Sequence, residues 1–274
     1  MVKKFSKLIT EDSIDASEFL PPDQMVVVNL ASMGIESGYT INDDLTVDVT
    51  HSNGVYIKKQ DFSKLPVRFG KVDQWFLLDG TKNLTTLEGC PFEVGKGFSC
   101  RETKITSLEG CPTITHGGSF NIFMNKLTSL EGSPKTVAQM HCDFNELTDL
   151  KGSPDIVNGE ENAIFNCSNN DITSLEFGPK YVKDNYLIQN CPIYNLEGFE
   201  CEFGGDFYCD NTPMYNIFPM DKFKQDDLNS FRILKAIKER TVNFKRLKYA
   251  YSIFEMDLPT DLEDKVLNNG YTII

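Results

Sequence analysis

The chain has 274 residues, eight cysteines and a formal net charge of −13 at pH 7. The length allows a large core, and the charge argues against non-specific binding to nucleic acid or to an anionic membrane. No apolar run is long enough for a transmembrane helix. The basic N-terminus lacks the apolar centre of a secretory signal, so we expect the protein not to be secreted.

Residues 1–24 are predicted to be a leader and linker, because their second half is rich in Asp, Ser and Pro. Phe5, Leu8 and Ile9 form a one-turn apolar stripe of the kind found on docking helices. The segment up to Glu11 resembles the head-targeting peptides of internal proteins in large T-even-type phages, which end in a Leu/Ile-x-Glu cleavage site. The resemblance implies cleavage after Glu11; the alternative is a terminus that packs on the N-terminal cap.

Residues 25–54 are predicted to form an N-terminal β cap. Met25–Leu30 and Asp44–Val49 are rich in valine and are predicted to be strands. Such a cap would cover the first coil of the repeat that follows, because the open end of a stacked sheet needs covering.

Residues 55–219 contain a repeat of 20 to 25 residues, which predicts a solenoid. Each repeat ends in a core residue, the anchor: Leu65, Leu87, Leu108, Leu130, Leu150, Leu175, Leu196 and Ile217. Ten and eight residues before each anchor lies a pair predicted to point inward from a short parallel strand. These pairs are Val55/Ile57, Leu77/Asp79, Phe98/Cys100, Phe120/Ile122, Met140/Cys142, Phe165/Cys167, Tyr186/Ile188 and Phe207/Cys209. Asp79 does not fit this pattern.

The rest of the repeat predicts how the chain turns. Asn125, Asn145 and Asn170 recur at one position after the strand, and we expect their side chains to form an internal ladder of hydrogen bonds with adjacent coils. Leu-Thr-Ser-Leu brings two more apolar residues inward, and Glu-Gly-x-Pro closes the repeat. The returning segment is too short for a helix of three turns and is predicted to be extended or 3₁₀.

The pattern Leu-x-Leu-x-x-Asn-x-Leu-x-x-Leu resembles the leucine-rich repeat signature. The segments Ile105–Pro112 and Leu127–Pro134 are similar to repeats in leucine-rich-repeat-like proteins of large tailed bacteriophages. The resemblance covers about residues 45–219 and implies no particular activity. We therefore expect a mainly β, right-handed solenoid of about eight short coils with a parallel sheet, an N-terminal β cap and a C-terminal helical cap.

The cysteines occupy repeat positions. One core position, which isoleucine fills in sister repeats, holds Cys100, Cys142, Cys167 and Cys209. Cys90 and Cys111 share a second position, in Gly-Cys-Pro. We expect reduced structural thiols; the alternative is a disulfide between Cys90 and Cys111. Neither the cysteines nor the histidines have zinc-ligand spacing.

Residues 220–274 are predicted to form the C-terminal helical cap, because apolar residues recur at helical spacing over 226–239 and 244–256. Between Lys222 and Lys248, nine Lys or Arg against three Asp or Glu leave a local charge of +6. Two interpretations remain open. This basic segment lies on an acidic solenoid, or it contacts an acidic partner.

The sequence contains no phosphate-binding, serine-nucleophile or zinc-peptidase motif. A column of glutamates follows the anchors, but carboxylates one coil apart on a solvated edge converge poorly on a cation. We therefore predict no catalysis, no metal and no cofactor.

The predicted binding site is the concave strand face. Its outward positions vary from coil to coil, as those of a specific interface or of an unconstrained surface would; the alternative sites are another edge or the ends. Phe123, Leu187, Tyr208 and Arg101 are the expected anchors of an interface. The site comprises Ser99, Arg101, Asn121, Phe123, His141, Asp143, Asn166, Leu187, Gln189, Tyr208 and Asp210.

Together these features predict a non-catalytic solenoid, encoded by a phage, that binds a host or viral protein. We expect a monomer in the host cytoplasm with no direct contact to nucleic acid or membrane. Two alternatives remain. One is an internal or assembly protein packaged in the virion through its N-terminal peptide, and the other is an acidic mimic that occupies a nucleic-acid-binding protein.

Overall fold

The computed structural model describes residues 20–50, 53–114, 117–218, 222–224, 237–253 and 257–274. The chain divides into two units, Met1–Ser119 and Phe120–Ile274. Parallel sheets build a solenoid with about seven turns in all, which confirms the predicted mainly β solenoid. The predicted processing site at Glu11 lies outside the described residues.

In the first unit a helix lies where a strand was predicted. Helix α1 spans Pro22–Ser32, so the strand prediction over Met25–Leu30 is wrong. Proline at the start of the helix and an acidic first turn favour helix initiation. The Asn29 side chain donates a hydrogen bond to the Pro66 carbonyl at 3.0 Å. Tertiary contacts thus outweigh the strand propensity of the three valines.

Two parallel sheets follow in the first unit. The front sheet, which corresponds to the predicted strands, contains β3 (Val55–Tyr56), β5 (Trp75–Leu77) and β7 (Gly97–Ser99). The back sheet contains β1 (Tyr39–Ile41), antiparallel to β2 (Thr46–Val49), and then β4 (Arg68–Val72), β6 (Glu93–Val94) and β8 (Thr113–Ile114) in parallel. The predicted strand near residues 44–49 is therefore confirmed.

The second unit repeats this arrangement. Its front sheet contains β9 (Ser119–Asn121), β11 (Gln139–His141), β13 (Phe165–Asn166), β15 (Tyr186–Leu187), β17 (Asp206–Tyr208) and the antiparallel edge strand β18 (Lys222–Lys224). Its back sheet contains β10 (Thr136–Val137), β12 (Ile156–Val157), β14 (Tyr181–Val182) and β16 (Glu202–Phe203). The returning segment is thus extended, and it also pairs with its neighbours as a second parallel sheet.

The core lies between the front strands and the anchors. All eight anchors are buried, and seven of the eight predicted inward pairs are buried. The second coil differs, because Phe76 pairs in register with Phe98 and lies inward with Leu78. One more residue separates strand and anchor in this coil, so the predicted pair Leu77/Asp79 is wrong and Asp79 points outward.

The predicted asparagine ladder is confirmed. The Asn145 amide donates to the carbonyls of Cys142 at 3.1 Å and Ile122 at 3.0 Å, and its oxygen accepts from the Leu127 amide at 3.1 Å. Asn170 makes the corresponding bonds one coil further on. Each ladder residue therefore satisfies buried backbone groups of two coils, which two-residue strands cannot do by themselves.

The eight cysteines are free thiols, so the alternative disulfide between Cys90 and Cys111 is not formed. Burial raises the pKa of both of these thiols, and of Cys100, Cys142 and Cys167 in the core position. A raised pKa keeps a thiol protonated and unreactive. The cysteines therefore act as small apolar core residues.

The C-terminal region contains β19 (Thr241–Val242), parallel to β20 (Thr272–Ile273), and helices α2 (Phe244–Ile253) and α3 (Leu262–Asn268). The second predicted helix is confirmed as α2; residues 225–236, with most of the first, lie outside the described residues. The Tyr251 hydroxyl donates to the carbonyl of the last anchor, Ile217, at 3.1 Å. None of the helices in the described part of the chain could cross a membrane.

Candidate functional site

The outward side of the front sheet in the second unit carries nine of the eleven predicted residues. Parallel pairing places Met140, Phe165, Tyr186 and Phe207 in one inward row. Because side chains alternate along a strand, the residues that follow form an outward row. This row consists of His141, Asn166, Leu187 and Tyr208, all partly exposed.

Ser99 and Arg101 lie in the first unit, where both side chains bind the carboxylate of Asp79. The Ser99 hydroxyl donates to one carboxylate oxygen of Asp79, and Arg101 pairs with the other at 3.1 Å. These contacts explain Asp79, whose position in the repeat the sequence did not account for. They also leave Ser99 buried and without a free donor for a partner.

Several other predicted residues stabilise the face itself. The side-chain oxygens of Asn121 and Asn166 accept the amides two residues on, Phe123 and Ser168, each at 3.1 Å. Gln189 donates to the Asp210 carboxylate at 2.7 Å. Their polar groups are thus largely used within the chain.

An apolar patch stands out on this face, formed by Phe123, Met124 and Phe144. The rings of Phe123 and Phe144 meet edge to face, with centroids 5.4 Å apart and planes at 75°. Met124 is 47% exposed and Phe144 is 46% exposed. The Met124 amide donates to the Asp143 carbonyl at 3.1 Å, so the two segments stay paired in the bends just beyond β9 and β11.

The backbone at Met124 and Phe144 is left-handed, with φ of 55° at both residues. Both directly precede a ladder asparagine. The same position in the following coils is filled by Asn169, Asn190 and Asn211, with φ between 55° and 58°. Asparagine tolerates this region, whereas a bulky apolar residue does so at a cost of about 1–3 kcal/mol.

Asp143 lies next to this patch and is buried, with 8% of its surface exposed. Its Oδ1 atom has no hydrogen-bond partner. Burial raises the pKa of this carboxyl group to about 6, and burial also lowers the pKa of His141 on the same strand. Low polarity thus disfavours the charged form of both groups.

The prediction from sequence missed Met124, Phe144 and Asp79. A signal for the first two was present, because the residue before the ladder position is asparagine in three coils and asparagine often adopts positive φ. Two large apolar residues at such a position are unusual and exposed. Asp79 was missed because one inserted residue shifts the register of its coil.

No group of three or more His, Cys, Asp and Glu side chains could hold a metal ion within the described ranges. The thiols of Cys100, Cys142 and Cys167 behind this sheet are buried and have raised pKa values, which makes them poor nucleophiles. The chemistry that the face offers is recognition by aromatic rings, a carboxylate and amides.

No family model, no curated protein and no solved structure matches the chain. The function is therefore inferred from the site rather than from relatives.

Proposed function

We propose that the chain is a non-catalytic, leucine-rich-repeat-like solenoid that binds a protein partner through the front face of its second unit. The observation that carries this proposal is the apolar patch of Phe123, Met124 and Phe144. Two of its members occupy strained left-handed positions where the following coils have asparagine. Strain of this kind is typical of functional sites, and exposed aromatic residues are typical interface anchors.

The surroundings of the patch support a protein as the partner. Polar side chains lie on the same face, Asn121 in the coil of Phe123 and Gln189 and Tyr208 in later coils. An apolar centre with a polar rim is the usual composition of a protein interface. The resemblance of the repeat to phage proteins supports a host or viral partner in the infected cell, with the protein acting as a monomer in the host cytoplasm.

The test is capture of a partner from a lysate of phage-infected bacteria by the immobilised full chain. The test variant is Phe144→Asn, which removes the exposed ring and installs the residue that suits the backbone. The matched control is Tyr181→Asn, because Tyr181 lies on the back sheet and is 40% exposed. We expect a protein that the wild type and the control retain and that the test variant loses.

Two results would contradict the proposal. Retention of the same proteins by all three chains would show that the patch is not the binding site. Partner binding that ignores Phe144→Asn but disappears in high salt would favour the acidic mimic, because screening weakens binding by exposed charge.

A further inference from the structure

Only one of the two carboxylate oxygens of Asp143 has hydrogen-bond partners. The Asn166 side chain and the backbone amide of Asp143 bond to the carboxylate, but its Oδ1 atom has no partner. An unpaired buried charge is costly, and native proteins normally pair it. The orphaned oxygen is therefore a feature that the fold alone does not explain.

No positively charged side chain in the described part of the chain pairs with Asp143. When the register of the strands is continued to Asp143, just beyond β11, its neighbours are Phe123 on one side and Ser168 on the other, with Asn121 and Asn166 two residues earlier. The titratable neighbour on its own strand is His141, whose pKa burial lowers. None of the ion pairs found among the described residues includes Asp143.

Two aromatic residues lie next to Asp143 in the fold. Phe123 is its neighbour across the strands, Phe144 follows it in the chain, and the two rings form a corner at 75°. Ring faces attract cations, most strongly where water is excluded. The carboxylate would attract the charged end of a long basic side chain, and the two rings would pack against its apolar methylene groups.

We propose that Asp143, Phe123 and Phe144 bind one lysine or arginine side chain of the protein partner. This inference rests on the proposed function and specifies which chemistry on the partner meets the front face. The net charge of −13 favours the approach of a basic segment. Because Oδ1 is buried, the side chains around it must shift as the cation enters. Phe144 is 46% exposed and has open surface into which it can move.

The direct test is a titration of the ¹⁵N-labelled full chain with N-acetyl-lysine methylamide, N-acetyl-arginine methylamide and the neutral N-acetyl-norleucine methylamide. We expect saturable shifts of the Asp143, Phe144 and Ser168 amides with a cationic probe and none with the neutral one. Asp143→Asn should weaken binding about tenfold, the value of one charge-assisted hydrogen bond. The control Asp171→Asn makes the same charge change at an exposed site and should leave binding unchanged.

Three outcomes would overturn the inference: no saturable binding of either cation, equal binding of the neutral probe, or equal loss in both variants. Partner capture separates this failure from failure of the proposed function. If Phe144→Asn loses the captured protein while Asp143→Asn retains it, the docking face stands and the cation site is refuted. If a cation binds at Asp143 but neither variant affects capture, the cation site stands and the docking face is refuted.

Discussion

At the residue scale, Tyr186 occupies a core position that phenylalanine fills in five coils. Its ring packs between Phe165 and Phe207, with centroids 4.9 and 5.6 Å away, but its buried hydroxyl has no hydrogen-bond partner. A Cβ at Gly178 would lie 2.8 Å from this hydroxyl oxygen, so glycine there makes room for it. The four preceding coils have Cys or Ser at that position, and the following coil has Phe199.

We expect Tyr186→Phe to raise the free energy of unfolding by about 1 kcal/mol, because it removes an unsatisfied buried polar group. Chemical denaturation measures the change. The control is Tyr271→Phe, since that hydroxyl donates to the Tyr194 carbonyl at 3.0 Å and its loss should destabilise. An equal loss of stability in both variants would mean that the Tyr186 hydroxyl is bonded after all.

Asp143 should make stability depend on pH. Its pKa rises from 3.8 to about 6 on folding, so the folded chain holds this proton more tightly than the unfolded chain does. The carboxyl group therefore supports the fold below pH ~4 and loses that contribution as pH rises through about 6. Asp143→Asn should raise the unfolding midpoint at pH 7.5 and have little effect at pH 4. A shift of equal size at both values would contradict the burial of an unpaired charge.

At the element scale, each coil depends on tight turns because its strands are only two to five residues long. In six coils the small polar side chain just before the anchor accepts a hydrogen bond from the amide just after it, as Ser129 does from Glu131 at 3.1 Å. A left-handed residue follows, Gly152 in one coil and Phe177 in the next. A Cβ at Gly152 would overlap the backbone of Leu130 and Glu131.

Gly152→Ala should therefore cost at least about 2 kcal/mol, from left-handed strain and from the clash with the preceding coil. Phe177→Gly is the matched reverse change, because Phe177 is exposed and has φ of 65°. We expect it to cost much less or to stabilise. Urea denaturation compares the two, and similar losses would mean that the turn tolerates any residue.

At the scale of the whole molecule, the net charge of the chain bears on how its basic C-terminal segment packs. The segment between Lys222 and Lys248 is basic, and at two of its described positions it contacts the acidic solenoid. Arg240 pairs with Glu197, and the Lys238 ammonium lies 5.2 Å from the centre of the Phe199 ring. These contacts favour the interpretation in which the basic segment packs on the solenoid, since pairing lowers the self-repulsion of a chain with net charge −13.

Much of the fold can be predicted from the sequence because each position of the repeat has the same surroundings in coil after coil. Eight anchors, seven inward pairs and the asparagine ladder are confirmed, since each position accepts only side chains that fill or satisfy the same small space. The predictions fail where a segment does not belong to the repeat or departs from its spacing. The valine run of α1 occurs once, and the inserted residue before Leu87 shifts one coil alone.

The face that carries the candidate site was also predictable, because alternation along a strand follows from backbone geometry. The chemistry of that site could not be predicted from the sequence. The contacts of these side chains depend on residues about twenty positions away, which coil stacking brings together. This is true of the ion pair of Asp79, of the unpartnered oxygen of Asp143 and of the ring contact between Phe123 and Phe144. The sequence by itself determined the coil and its inward residues, because burial restricts them locally. Only the tertiary structure decided which outward residues are already satisfied and which remain available, because that depends on pairing between coils.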